Sequence, residues 1–234
     1  MREPLEIAVA QPLTLSSDVA GNALRHAAAI RTARTRVVVF PEMSLTGYEF
    51  AAPAIGVADS RLAPIVEACR ETTSLALGGG PVEGNGGAVH IGMFAVDGTG
   101  VRVAYRKMWL GGDEPTHFAA GTTPVVLEVD GWRLGLAICR DTGILQHAAD
   151  TAALGIDAYV AGVLETAADA AVPDERARRV AADHGVWVVI ASFAGSTGGG
   201  FDEAAGGSGV WSAGGVSVAR AGIEPGEVVR ATLI

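Results

Sequence analysis

The apolar positions of this chain fall into short runs separated by polar, glycine-rich and proline-rich joints, and the period of those runs changes along the chain. Residues 5–10 (LEIAVA) read as a strand, and 37–40 (VVVF) as the continuous apolar run of a strand buried on both faces, ended by Pro41. Between them Ser17 or Asp18 is placed to cap a helix with apolar positions Val19, Ala23, Leu24, Ala27 and Ile30. A second helix is predicted over 59–73, then a strand at 75–78 that runs into Gly-Gly-Gly-Pro. Residues 88–96 and 101–105 predict a hairpin turned by Asp97-Gly98-Thr99-Gly100, and 124–129 with 132–138 a second one turned by Asp130-Gly131. A helix at 144–154 and a strand at 157–161 follow. Pro173 opens another helix, which Gly185 closes, before a buried strand at 186–193. From Val210 onward the pattern is one of short strands and glycine-rich turns.

Strands alternate with helices through much of the chain, yet several strands come in hairpins. That combination predicts an α/β fold with mixed sheets covered by helices, not a purely parallel sheet. The length of 234 residues accommodates one large α/β domain or two small ones. No linker and no internal repeat is visible, so residues 1–234 are read as a single domain. Hydrophobic residues make up 49% and charged residues 18%, a globular balance. A net charge of −9 without a Lys/Arg cluster gives no footprint for nucleic acid and suits an anionic membrane surface poorly. No uncharged apolar run approaches the roughly 20 residues that cross a bilayer. The start MREPLEIAVAQ lacks the apolar region of a secretory signal, so a cytoplasmic location is expected.

The candidate chemistry narrows the picture further. Cys69 and Cys139 are too few for a disulfide framework, and neither belongs to a CxxC pair. The histidines form no HExxH, so that metal-site spacing is missing. A GxSxG elbow is missing, and GSTGGG at 195–200 lacks the GK[ST] of a phosphate loop. The stretch 195–209 (GSTGGGFDEAAGGSG) suits either a mobile loop near a site or a plain surface connection. Cys69 falls within a helical pattern and reads as core. Cys139 instead ends a buried strand just before a predicted helix start, where a thiolate is favoured, and Arg140-Asp141 follow it. Glu42 follows VVVF and Pro41, a strand end where desolvation raises a carboxylate into the range of a general base. Lys107 ends VRVAYRK, placed to put an ammonium against a developing oxyanion.

Each of the three is weak alone. Together FPEMSLTGY, YRKMWLGGDEPTHFAAG and LGLAICRD resemble, in order, the three signature blocks of the nitrilase superfamily, the carbon–nitrogen hydrolases. The opening IAVAQ and the late GGSGVWSAGG are similar to family features as well, so the resemblance covers nearly the whole chain. It implies an α-β-β-α sandwich with two mixed β-sheets, paired into a homodimer or higher homo-oligomer. It implies a Glu42-Lys107-Cys139 triad, with Glu114 as a second glutamate that orients the substrate amide. The implied activity is that of an amidase: hydrolysis of a small carboxamide through a Cys thioester, with release of ammonia or an amine and without a cofactor. The backbone N–H of Arg140 would share the oxyanion with Lys107. N-carbamoyl hydrolysis and a silent binding module are the other readings. Arg140-Asp141 stands where nitrilases usually carry Trp-Glu, which favours amides over nitriles. Ala191-Ser192-Phe193 lacks an asparagine found in many relatives, and the extended C-terminal segment of carbamoylases is not seen. Tyr48, Phe50, Trp109, Arg140, Thr142 and Glu165 are the further candidates to line a substrate pocket.

Overall fold

The computed structural model describes residues 2–234. The chain runs β1 (Leu5–Gln11), α1 (Val19–Ala33), β2 (Val37–Val39), α2 (Ala63–Thr72), β3 (Leu75–Glu83), β4 (Val89–Asp97) and β5 (Gly100–Arg106). It continues through β6 (Val126–Val129), β7 (Trp132–Ile138), α3 (Leu145–Ala152), β8 (Ala158–Val163), α4 (Val172–His184) and β9 (Trp187–Ser192). Five short strands close it: β10 (Ala194–Gly195), β11 (Ala204–Ala205), β12 (Gly209–Trp211), β13 (Ser217–Arg220) and β14 (Glu227–Leu233). Two six-stranded mixed sheets result, ordered β14-β1-β2-β3-β4-β5 and β13-β12-β9-β8-β7-β6. Each has three parallel strands at its centre, β1-β2-β3 and β7-β8-β9, flanked by antiparallel ones.

The alternation of side chains along the strands explains the four layers. Successive residues of a strand point to opposite faces. In β1 and β2, Ile7, Val9, Val37 and Val39 join β7 and β8 residues Leu134, Leu136 and Val160 in the core between the sheets. Ala8, Ala10 and Val38 face the other way, onto Ala23, Ala27 and Ile30 of α1. In the second sheet Tyr159, Ala161 and Val188 pack against Ala177 and Val180 of α4. Both faces of the central strands are therefore apolar, which is why VVVF shows no polar alternation. Among the described residues no helix is long and apolar enough to cross a membrane.

Several local features differ from the sequence pattern. Asp18, not Ser17, caps α1 through Gly21 N–H at 2.9 Å. Leu24 is 61% exposed, and the inner face of α1 carries the polar Asn22 and His26 instead. Asn22 Nδ2 donates to Leu45 O at 3.0 Å and His26 Nε2 lies 2.9 Å from Ser44 Oγ, so the helix braces the loop after β2. The strand at 75–78 runs on to Glu83, because the glycines let that loop approach: Leu45 N–H bonds Gly79 O and Ile55 N–H bonds Pro81 O. The stretch 195–209 is not a structureless connection, since β10 and β11 pair within it.

The loop carrying Glu42 is held between the two sheets at glycines. A Cβ on Gly79 would lie 2.2 Å from Met43 N, and one on Gly162 would lie 2.6 Å from Phe40 O and 2.9 Å from Glu42 N. Those contacts are backbone, which cannot swing aside. Gly162→Ala is therefore expected to destabilise the protein by on the order of 3 kcal/mol, the upper range of overpacking costs. Denaturant titration checks this; a loss under about 0.5 kcal/mol would show that the two sheets can part freely there.

Candidate active site

Four strand ends deliver the polar side chains. Glu42 follows β2, Lys107 follows β5, Cys139 follows β7, and Glu165 lies just past β8. The first two come from one sheet and the last two from the other, so the site lies where the sandwich is open at its carboxyl edge. Glu114 sits on a single turn, Glu114–Thr116, in the segment after Lys107. That turn is anchored by its own carboxylate, whose Oε2 accepts from Gly111 N–H at 2.8 Å.

Glu42, Lys107 and Glu114 are each only 1% exposed. The Lys107 ammonium lies 2.7 Å from Glu42 Oε1 and 2.7 Å from Glu114 Oε1. Tyr48 donates its hydroxyl to Glu114 Oε1 at 2.5 Å. Burying charge is tolerable only where partners surround it, and here one cation stands between two carboxylates. One oxygen is left over: Glu42 Oε2 is buried and has no hydrogen-bond partner among the described residues. The Cys139 thiol is close enough to bear on the Glu42 pKa, and its Sγ is 3.4 Å from Leu164 O.

Burial governs the protonation of these groups. It pushes Glu42 up to about 7; Lys107 opposes and Glu114 adds to the rise. Burial also raises the Cys139 thiol, as does Glu42, with Lys107 acting against them. For Lys107 burial disfavours the ammonium, but Glu42, Cys139 and Glu114 outweigh it and raise its pKa. At neutral pH Lys107 is therefore a fixed cation, Cys139 a neutral thiol, and Glu42 a carboxyl group poised between its two forms.

Cys139 has φ +44°, in the left-handed region that costs an L-residue roughly 1–2 kcal/mol. It opens a tight turn, Cys139–Gly143, held by Thr142 Oγ1 donating to Cys139 O at 2.6 Å. The first N–H groups of such a turn have no partner inside it, and Arg140 N–H is among them. A cleft of about 450 Å³ opens over these groups, lined by Tyr48, Phe50, Lys107, Glu114, Cys139 and Arg140, with Glu165 at its wall.

The sequence-predicted residues thus divide. Glu42, Lys107 and Glu114 form one bonded array, and Cys139, Tyr48, Phe50, Arg140 and Glu165 line the same cleft or touch that array. Trp109 is not among the lining residues: its side chain is 41% exposed, and its backbone N–H is tied to Asp141 instead. Thr142 is buried and serves the Cys139 turn. Sequence reasoning missed Arg176, which reaches the cleft from α4 and pairs with Glu165 at 2.6 Å. Nothing in the charged run of α4 singles it out. It also missed Phe201, which lines the cleft beside Gly199 and packs edge-on against Tyr48 with ring centroids 5.2 Å apart. One bulky ring among glycines was the available signal.

Comparison with known proteins places the chain as a whole. Residues 6–233 match the sequence profile described as carbon–nitrogen hydrolase. A protein of Pseudomonas protegens described as a hydrolase in the pqqF 5′ region is 30% identical over 187 residues. The matched stretch covers 76% of this chain and 66%, just under two thirds, of that protein. An amidase of Nesterenkonia AN1 from the nitrilase superfamily superposes with a TM-score of 0.86 at 22% identity, covering 98% of this chain and 90% of its own. Nit3 of Saccharomyces cerevisiae, a member of branch 10 of that superfamily, gives a TM-score of 0.87 at 21% identity over 99% and 90%.

Proposed function

The chain belongs to the carbon–nitrogen hydrolase family, and from that premise we propose that it hydrolyses the C–N bond of a small carboxamide through a thioester on Cys139. The observation that carries this reading is the Glu42 carboxyl: Oε1 is committed to Lys107, Oε2 is buried and finds no partner among the described residues, and the Cys139 thiol is close enough to bear on the carboxyl's pKa. A carboxylate in that setting has one thing to do, which is to take a proton from Sγ.

The reaction then follows in two halves. Glu42 accepts the thiol proton as Sγ attacks the amide carbon, and the carbonyl π electrons move onto oxygen. Lys107, always charged, and the Arg140 N–H stabilise that oxyanion. Collapse breaks the C–N bond, and Glu42 returns the proton to the leaving nitrogen, so ammonia or an amine departs. Glu42 next takes a proton from water as the water oxygen attacks the thioester. The C–S bond breaks, Cys139 recovers its proton, and a carboxylic acid leaves. Glu114, fixed by Lys107, Tyr48 and Gly111, orients the amide nitrogen, and Tyr48, Arg140 and Glu165 shape the pocket. Trp109, whose ring lies outside the cleft lining, takes no part. Residues 1–234 act as one hydrolase domain, as a homodimer or higher homo-oligomer, and light scattering tests the assembly.

The test is ammonia release from small amides, carbamoyl compounds and nitriles, with the intact mass followed during turnover. An acyl adduct on Cys139 with an amide substrate is expected. Turnover without any adduct, under conditions that quench deacylation, would sink the thioester mechanism.

The pH dependence has a definite sign. The base is active as the carboxylate, and Glu42 titrates at about 7 instead of its ordinary 4.5. The ratio kcat/KM is therefore expected to fall about tenfold per unit as pH drops below about 7, and to be nearly flat just above it. An acid limb centred near 4.5 would show that the base is a solvated carboxylate and not buried Glu42.

A further inference from the structure

Asp141 is fully buried and takes no part in the chemistry set out above, yet its carboxylate has three donors. Oδ1 accepts from Trp109 N–H at 2.9 Å. Oδ2 accepts from Ile138 N–H at 2.9 Å and from the Tyr105 hydroxyl at 2.8 Å. The positions of those donors matter. Tyr105 and Trp109 stand two residues before and two residues after Lys107, and Ile138 immediately precedes Cys139. Lys107 ends a strand of one sheet and Cys139 ends a strand of the other. One carboxylate thus grips the Lys107 segment on both sides and the Cys139 elbow on its strand side, across the gap between the sheets.

The rest of the network fits a charged Asp141. Tyr105 Oη lies 2.9 Å from His147 Nε2, and His147 Nδ1 lies 2.8 Å from Tyr159 Oη. Burial lowers the His147 pKa against the pull of Asp141, which favours the neutral ring with one N–H. With that proton on Nε2, Tyr159 donates to Nδ1, Nε2–H donates to Tyr105, and Tyr105 donates to Asp141. Every proton then has an acceptor, and the carboxylate needs none of its own.

We propose that Asp141 is a positioning residue that holds the Lys107 ammonium and the strained Cys139 elbow in register with each other. This rests on the hydrolase reading, because register matters only if both groups act on one carbonyl. Misplacing a reacting group by about 1 Å is enough to cost on the order of 10²-fold in rate. Nothing in the Asp141 contacts touches the cleft walls that bind substrate.

The experiment uses Asp141→Asn. Whichever way the amide turns, its NH₂ faces either Trp109 N–H or Ile138 N–H, and one bond to the clamp is lost. The expected result is a fall in kcat on the order of 10²-fold, with KM changed by less than about threefold and the thermal transition still well above assay temperature. A folded variant that keeps kcat within about threefold overturns the proposal, since a purely structural aspartate would lower the melting temperature and leave the rate of the folded enzyme alone. If the variant does not fold, Tyr105→Phe decides: it removes one donor and keeps both backbone bonds. A fall in kcat of about three- to tenfold at constant KM supports the clamp, and an unchanged kcat overturns it. If the wild-type enzyme turns over no compound of the panel, the hydrolase reading fails separately. The alkylation rate of Cys139 by iodoacetamide, read by peptide mass, then decides: about tenfold slower in Asp141→Asn supports the clamp, and an equal rate overturns it.

Discussion

Cys139→Ala is expected to lower kcat by a factor on the order of 10⁴ to 10⁶ while leaving the protein folded and able to bind its substrate. The physical reason lies in what stays behind. Glu42, Lys107, Glu114 and Tyr48 hold one another through bonds that do not involve the thiol. Alanine at φ +44° carries the same left-handed strain as cysteine, so the elbow gains and loses little. The melting temperature should therefore move by no more than about 2 °C, less than 1 kcal/mol for a chain of this size. Equilibrium binding of the preferred amide should remain within about threefold of the wild-type value. No acyl adduct should be seen in the intact mass. Residual turnover within about tenfold of wild type would mean that the amide is cleaved without a covalent bond to Cys139.

Lys107→Met is expected to be nearly as severe for rate and far worse for stability. The methionine fills the volume but leaves Glu42 and Glu114 buried without their shared cation. Breaking a buried ion pair by removing one partner costs about 3–5 kcal/mol, because the surviving charge is uncompensated. For a chain of this size that corresponds to a fall of roughly 10 °C in Tm. One carboxyl, or both, will escape the cost by protonating, since burial already drives Glu42 upward and Lys107 is the group that restrains it. The rate then suffers twice. On the proposed mechanism the oxyanion loses its charged donor, worth about 10² to 10³, and the base is blocked by its own proton. The acid limb of the pH profile should consequently move above 7, and calorimetry together with that profile checks both halves. An unmoved acid limb with a normal Tm would show that Lys107 is not the counterion of Glu42.

The elements with a clear period were legible in the sequence, and the reasons are local. VVVF declares a doubly buried strand by having no polar face, and Asp130-Gly131 declares a two-residue turn. Pro173 and Gly185 mark the two ends of α4. The positions Glu42, Lys107 and Cys139 stood out because each follows an apolar strand, where a charge or thiol has little structural reason to be. What escaped is the set of contacts that cross between elements. Asn22 and His26 interrupt the apolar stripe of α1 and look like poor core residues, yet they brace the Glu42 loop by hydrogen bonds to Leu45 and Ser44. Leu24 belongs to the apolar set of α1 yet faces outward, because periodicity alone cannot say which stripe of a short helix is buried. Trp109 looked like a pocket aromatic from its neighbour Lys107, but two residues along the chain is enough to carry a side chain to another surface. Asp141 enters the sequence reading only as part of Arg140-Asp141 after the cysteine; its three donors come together only where β5 and β7 meet, and no local pattern encodes that.

The partition of the site between the two sheets has a consequence for how the protein comes into being. Glu42 and Lys107 belong to the sheet closed by the pairing of β1 with β14, in which Leu5 stands opposite Leu233. Cys139 and Glu165 belong to the other sheet. Neither half holds a working constellation, and the first is completed by partners drawn from near both ends of the described chain. Contacts of such long sequence separation form late, after the entropy of closing large loops has been met. Recovery of turnover during refolding should thus lag behind the far-ultraviolet signal of the strands. Such a lag would make the recovery of turnover a reporter of the two sheets coming together.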